Sequence, residues 1–275
     1  MKLYDDCIRQ AHELLAMRPL HEVVTGAGST SWPDAGSNQL IFKSDTAYEL
    51  GGGTLPALSG VLLTSSASLV PDSRITLCGS DLPQLDRDVP YARLALIRVK
   101  EAAFTTADPE KGGNRLVSPE GNEAEKQAEK QTEKQAERQT EKQAEKAKLY
   151  QAIRRIEFTR FHINPEGFMM RISTGSQRES ARISRSALSR GLSFSHIGSA
   201  FRQAYEKQDI VEAVHTIFVT DAAFAYADLA RVLRRAEDIT KALDHLLQNL
   251  KMDCDACHLR EICAEVEAMC EEPTG

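Results

Sequence analysis

Val214-His215-Thr216-Ile217-Phe218-Val219-Thr220-Asp221 is the stretch that decides the fold class. Val214 to Val219 is short, apolar and β-branched, as a buried strand would be. Asp221 then supplies a carboxylate able to cap the helical stretch that runs on to about Asn249. Upstream, Phe194, Ile197, Phe201, Ala204 and Tyr205 recur at helical spacing. Ile153 to Ile163 and Phe168 to Ile172 read as strands joined at Asn164-Pro165-Glu166-Gly167, a turn signal. Strand and helix therefore alternate from residue 149 onward. That order predicts an α/β layer, with α+β as the alternative.

Working toward the N-terminus, Leu3, Cys7, Ile8, Ala11, Leu14 and Leu15 share a helical face, so residues 3–17 are expected to form an amphipathic helix. Leu40-Ile41-Phe42 reads as a short strand. Gly51-Gly52-Gly53 reads as a flexible break before the apolar run Leu58 to Thr64. Arg74 to Cys78 and Arg93 to Val99 are further strands, punctuated by turns at Pro71-Asp72 and Gly79-Ser80-Asp81.

Between these halves lies a low-complexity stretch with a four-residue period, Glu125-Lys126-Gln127-Ala128 and onward to Lys146. It has helix propensity but no apolar stripe to bring it onto a core. Its period stacks Glu above Glu and Lys above Lys, which is mildly repulsive. It reads as a tether or repeat expansion, not a coiled coil. The expected organisation is 1–105, the first part of an α/β domain; 106–148, the charged insert; 149–250, the second part; and 251–275, a cysteine-rich tail.

The chain has 275 residues, a formal net charge of −6, 41% apolar and 27% charged residues. Such values describe a globular protein of one large or two small domains. Net acidity argues against nucleic acid as a partner, because phosphate binding needs a basic surface. Met1 to Asp6 carries charge where a signal peptide needs an apolar run. Leu55 to Leu63 is far shorter than the roughly 20 residues of a membrane span. A cytoplasmic protein with reduced thiols is expected.

Charge is unevenly placed. Leu149 to Arg202 holds nine Arg, three Glu and no Lys, whereas Glu237 to Gly275 holds ten acidic residues against Lys241, Lys251 and Arg260. Cysteine is uneven too. Cys7 and Cys78 stand alone, but Cys254, Cys257, Cys263 and Cys270 crowd the tail as C-x2-C-x5-C-x6-C. Thiolate is the soft ligand of zinc and of iron–sulfur clusters. A four-cysteine zinc site usually pairs two C-x2-C knuckles. With one knuckle followed by single cysteines, the spacing reads first as [4Fe–4S] and second as Zn2+. On a continuous helix Cys263 and Cys270 would lie about 10 Å apart along the axis, so the helix would have to break if both are ligands. His258 is a substitute donor that reads more simply as a surface residue, and Asp253 and Asp255 read as solvated charges.

Several stretches, in the same order, resemble the acetyl-CoA synthase family, the β subunit of carbon monoxide dehydrogenase/acetyl-CoA synthase complexes. Ser186-Ala187-Leu188-Ser189-Arg190-Gly191-Leu192-Ser193-Phe194-Ser195-His196-Ile197-Gly198 is similar to a family helix ending in Lys/Ser-His-Ile-Gly. Thr216 to Asp221 is similar to the family's strand ending in Thr-Asp. Glu49-Leu50-Gly51-Gly52 and Ile75-Thr76-Leu77-Cys78-Gly79-Ser80-Asp81-Leu82 resemble further family stretches. The resemblance implies a middle domain followed by the start of a metal domain. It implies that Cys254, Cys257, Cys263 and Cys270 hold a [4Fe–4S] cluster, and that carbon monoxide dehydrogenase or corrinoid protein subunits are partners. It also implies coenzyme A binding by arginine; Arg171, Arg182, Arg185 and Arg190 are the candidates for its phosphates, since the guanidinium fork binds two oxygens.

The family's nickel centre needs a Cys-Gly-Cys, and no Cys-x-Cys occurs here. Nickel is therefore not expected on this chain alone. The expected role is an accessory, electron-transfer or assembly component. A subunit receiving its nickel ligands from another chain and a zinc-stabilised interaction module are the alternatives. His196 is expected in a core or capping role. Trp32 lies in a Ser-Trp-Pro loop distant in sequence from all these motifs.

Overall fold

A computed structural model describes residues 2–23, 32–35, 40–100, 150–173, 178–247 and 262. The elements are α1 (Lys2–Ala16), β1 (His21–Glu22), β2 (Thr46–Leu50), β3 (Ala57–Thr64), β4 (Arg74–Cys78), β5 (Tyr91–Val99), α2 (150–159), β6 (Phe168–Ser173), β7 (Arg178–Ser184), α3 (Arg185–Ser189), α4 (Phe194–Glu206), β8 (Val211–Val219) and α5 (Tyr226–Leu247). The protein is mixed α/β. No helix among the described residues is long and apolar enough to cross a membrane.

Five strands form one sheet in the order β1-β4-β8-β5-β3. β8 pairs parallel with β4 and antiparallel with β5, and β5 pairs parallel with β3. β5 and β8 are central and buried on both faces, which is why they read as nearly continuous apolar runs. On one face, Ala92, Leu94, Leu96, Ile217 and Val219 pack against Cys7, Ile8, Ala11 and Leu15 of α1 and Leu229, Leu233 and Ile239 of α5. On the other, Tyr91, Ala95, Ile97 and Phe218 meet α4 and a second, antiparallel sheet of order β2-β7-β6. Phe194, Ile197, Phe201 and Tyr205 give α4 its buried stripe. Gly198 lets α4 approach β4, because a Cβ there would come within 2.8 Å of Ile75.

The two sheets are locked by charge. Arg93 projects from β5 and Glu179 from β7, and neither side chain has solvent exposure. Arg93 Nε donates to Glu179 Oε1 at 2.9 Å and Nη2 to Oε2 at 2.6 Å, a bidentate fork. The guanidinium carbon sits 3.9 Å from the Phe201 ring centre, and the Tyr91 hydroxyl donates to Glu179 Oε1 at 3.3 Å. Burial opposes the Arg93 charge, but the Glu179 carboxylate outweighs it and raises the Arg93 pKa.

A smaller polar cluster lies under α1. His12 and His215 have ring centres 6.5 Å apart, and His215 Nε2 hydrogen-bonds Thr76 Oγ1 at 2.9 Å. Burial, then the neighbouring Arg74 charge, lowers both histidine pKa values, that of His215 to about 3.

The structure corrects several sequence expectations. Ile153 to Ile163 does not form a strand; residues 150–159 are helical and Arg160–His162 add a 3-10 turn. Ile153 and Ile156, three apart, are the buried stripe of α2, and that period outweighs their β-branching. Leu40-Ile41-Phe42 is extended but unpaired in any ladder. Side chains serve its backbone instead: Ile41 N donates to Met169 Sδ, and Arg182 Nη1 donates to Ile41 O. Asp221 does not cap α5, which begins at Tyr226. Its carboxylate pairs with Arg18 and accepts from Ala223 N.

The buried fork makes a clear prediction. Glu179→Gln leaves the Arg93 charge uncompensated and should cost about 3–5 kcal/mol in urea denaturation. The double variant Arg93→Met/Glu179→Leu should cost less than either single change.

The histidine pair makes a second. Below about pH 6.5 the unfolded chain protonates His215, which the folded protein refuses until the pH approaches 3, and burial shifts His12 in the same direction. Stability should therefore fall on acidification, by up to about 1.4 kcal/mol per pH unit from His215, with His12 adding to the same direction. His215→Gln should flatten the slope of melting temperature against pH between 7 and 5.

Candidate functional site

The outer face of the small sheet collects polar residues by strand alternation. Glu49 on β2 lies opposite Arg182 on β7, and Arg171 on β6 lies opposite Ser180. Partners across an antiparallel ladder share a face, so these side chains converge. Arg182 Nη2 reaches Glu49 Oε1 at 2.9 Å and its Nε reaches the same oxygen at 3.0 Å. Arg171 Nη1 stands 3.9 Å from Glu49 Oε1.

Beside this network runs an open groove of about 420 Å³. It is lined by Glu49, Gly52, Gly53, Ala57, Arg171, Ile172, Arg178 and Ser180. Arg178 Nη2 donates to Gly53 O at 3.4 Å and otherwise faces solvent. Two exposed guanidiniums beside glycine backbone, with one carboxylate already held by Arg182, give a net positive groove suited to an anion.

Gly51-Gly52-Gly53 is not a flexible break. All three have positive φ, +65°, +92° and +56°. Gly51 N donates to Val89 O, and Leu55 N to Gly52 O, closing a tight turn between β2 and β3. The triplet is what brings backbone, not side chains, to the groove wall.

Of the four arginines singled out in the sequence, the fold brings Arg171 and Arg182 together at Glu49. Arg182 is engaged by Glu49 and the Ile41 carbonyl. Arg185 sits on α3, where its Nη2 donates to Thr46 O at 3.4 Å. Arg190 pairs with Glu166 at 2.8 Å and lies over the Trp32 ring. Neither Arg185 nor Arg190 lines the groove. Arg178, Ser180 and the glycines were the missed residues. The period-two run Arg178-x-Ser180-x-Arg182 is the signal that would have found them, once read as one face of a strand.

Trp32, distant in sequence from the motifs, is spatially among them. Its ring centre is 4.8 Å from that of His196, and its Nε1 donates to Glu166 O at 2.7 Å. His196 Nδ1 hydrogen-bonds Ser193 Oγ at 2.9 Å, at the start of α4. This cluster clips the Trp32 loop onto the α3–α4 corner.

Cys254, Cys257, Cys263 and Cys270 lie outside the described residues, as do Asp253, Asp255, His258 and the insert. The neighbouring Ile262 is described. It packs, partly buried, against the core formed by α1, α5 and the five-stranded sheet. Cys7 and Cys78 are buried thiols. Burial pushes Cys7 up to about 11 and also raises Cys78, so both are inert core residues at neutral pH. Among the described residues, no three His, Cys, Asp or Glu side chains are grouped to hold a metal. A scan against protein-family models finds no match to this chain, and neither does a search of curated proteins.

The turn is testable by substitution. An alanine at Gly51 or Gly53 pays about 1–2 kcal/mol for a left-handed backbone. At Gly51 the new Cβ would also stand 2.5 Å from Ala57 Cβ, whereas at Gly53 it meets open space. Gly51→Ala should therefore be the more destabilising of the two in chemical denaturation.

Proposed function

We propose that this chain is an acetyl-CoA-synthase-like iron–sulfur protein, an accessory, electron-transfer or assembly component beside carbon monoxide dehydrogenase. The donor set carries the reading: Cys254, Cys257, Cys263 and Cys270 put four thiols within one short acidic tail. Soft thiolates in that number suit a [4Fe–4S] cluster, and these four residues would hold it. When bound, the cluster supplies a one-electron redox centre. The flanking carboxylates Asp253 and Asp255 would disfavour added negative charge there.

The α/β body contributes two things. Ile262, next to Cys263, packs against the core that α1 and α5 share. The groove of Gly52, Gly53, Arg171 and Arg178 offers guanidinium donors to the phosphates of coenzyme A. A zinc-stabilised interaction module is the second reading, favoured by the Cys254-x2-Cys257 knuckle.

Metal analysis of the anaerobically purified full chain tests this. About four iron and four acid-labile sulfide per chain, with a broad visible absorption near the blue, are expected. Cys257→Ala and Cys270→Ala should each abolish that absorption. Near-stoichiometric zinc without sulfide would sink the cluster and leave the zinc module. Titration with coenzyme A by calorimetry should show binding that Arg171→Ala/Arg178→Ala weakens by about tenfold or more.

A further inference from the structure

α2 and the turn after it present two faces. Ile153, Ile156 and Ile163 are buried against the small sheet and α4. Arg155, Phe158, Thr159 and His162 stand at i, i+3, i+4 and i+7, a single stripe on the opposite side. Phe158 is 61% exposed and Phe161 38%. Large apolar side chains at such exposure, grouped rather than scattered, mark a recognition surface.

The rings are pre-arranged. Phe158 and His162 have centres 4.4 Å apart, Phe158 and Phe161 6.0 Å, and the Arg160 guanidinium lies 4.8 Å above Phe161. Gln208, just past α4, donates from Nε2 to Thr159 Oγ1 at 3.5 Å and closes the far wall. Together Arg155, Phe158, Thr159, His162 and Gln208 line a groove of about 400 Å³.

Among the described residues its charge is net positive. Arg155 lines the groove and Arg160 lies over the Phe161 ring, while Arg154 is paired with Glu157. The carboxylate on the same helix, Glu157, is held by Arg154 at 2.9 Å and accepts from Thr240 on α5. An apolar floor within a cationic rim calls for an occupant with the opposite rim.

We propose that this face docks an acidic polypeptide segment of a partner protein, with an apolar side chain seated on Phe158 and His162 and carboxylates facing Arg155 and Arg160. Aromatic and arginine anchors of this kind dominate protein interfaces. The cationic rim would speed encounter and make binding sensitive to salt. The proposal is independent of the cluster in the tail.

Fluorescence anisotropy with labelled twelve-residue peptides tests it on the full chain. One peptide alternates Glu with Leu and Phe; a second carries Lys in place of Glu; a third carries Gly in place of Leu and Phe. A single-stranded oligonucleotide of the same length is the fourth probe. Saturable binding of the acidic apolar peptide is expected, at least about tenfold tighter than the other three and weaker in high salt. Phe158→Ser and Arg155→Glu should each weaken it by about tenfold or more while leaving the melting curve unchanged, since both side chains are exposed. Absence of saturation at millimolar peptide would overturn the proposal. So would equal binding of the Lys peptide, tighter binding of the oligonucleotide, or indifference to both variants. Self-association of the chain in sedimentation that Phe158→Ser abolishes would instead assign the face to a second copy.

Discussion

Arg93 and Glu179 hold the structure together where its two sheets meet. A charged residue in a central strand is costly to bury alone. Arg93 is tolerable in β5 because Glu179 arrives from β7 with both oxygens aligned and Phe201 covers the guanidinium. That one contact fixes the height of β7 over β5. It thereby sets which residues of the small sheet face inward and which face out. With Glu179, Ala181 and Ile183 inside, Arg178, Ser180 and Arg182 must lie outside. The groove beside Gly52 and Gly53 is thus a consequence of an ion pair on the other face of the same strand.

Locally patterned elements were legible in the sequence. α1 and β3 showed within a residue of their bounds, and β4 to the residue, because their apolar spacing needs no partner to be understood. β8 was legible for the same reason, and its buried flanks made it the key to the class. β2 and β7 were not legible. β7 runs Arg-Glu-Ser-Ala-Arg-Ile-Ser, and the inward Glu179 makes sense only beside Arg93, 86 positions earlier. The β-branched isoleucines of α2 suit a strand, whereas the three-residue interval of Ile153 and Ile156 suits the helix that forms. Asp221 stands five residues before α5, and its carboxylate goes to Arg18 through a tertiary contact invisible in the local sequence.

The candidate sites divide in the same way. Arg171, a candidate that the resemblance implies, lines the groove together with Arg178, which no motif of that resemblance singles out. Composition counts arginines; only pairing tells a spent guanidinium from a free one. Arg182 and Arg190 are held by Glu49 and Glu166, and Arg171 stands further from its carboxylate. The cysteine tail is the converse case. Its motif is read wholly from sequence, since its cysteines lie outside the described residues.

The position of β8 has a consequence for assembly. It lies between β4 and β5, yet Val211 pairs with Val99, which precedes it by 112 positions. During synthesis the first five strands emerge with a slot between β4 and β5 that stays open until the last strand is made. The five-stranded sheet must therefore close late, across a long intervening stretch that includes α2, β6, β7, α3 and α4. Closure entropy grows only logarithmically, by about 0.6 kcal/mol for each doubling of the loop. By that scaling, adding or removing repeats in the sequence between β5 and α2 would change the entropy of closure only slightly.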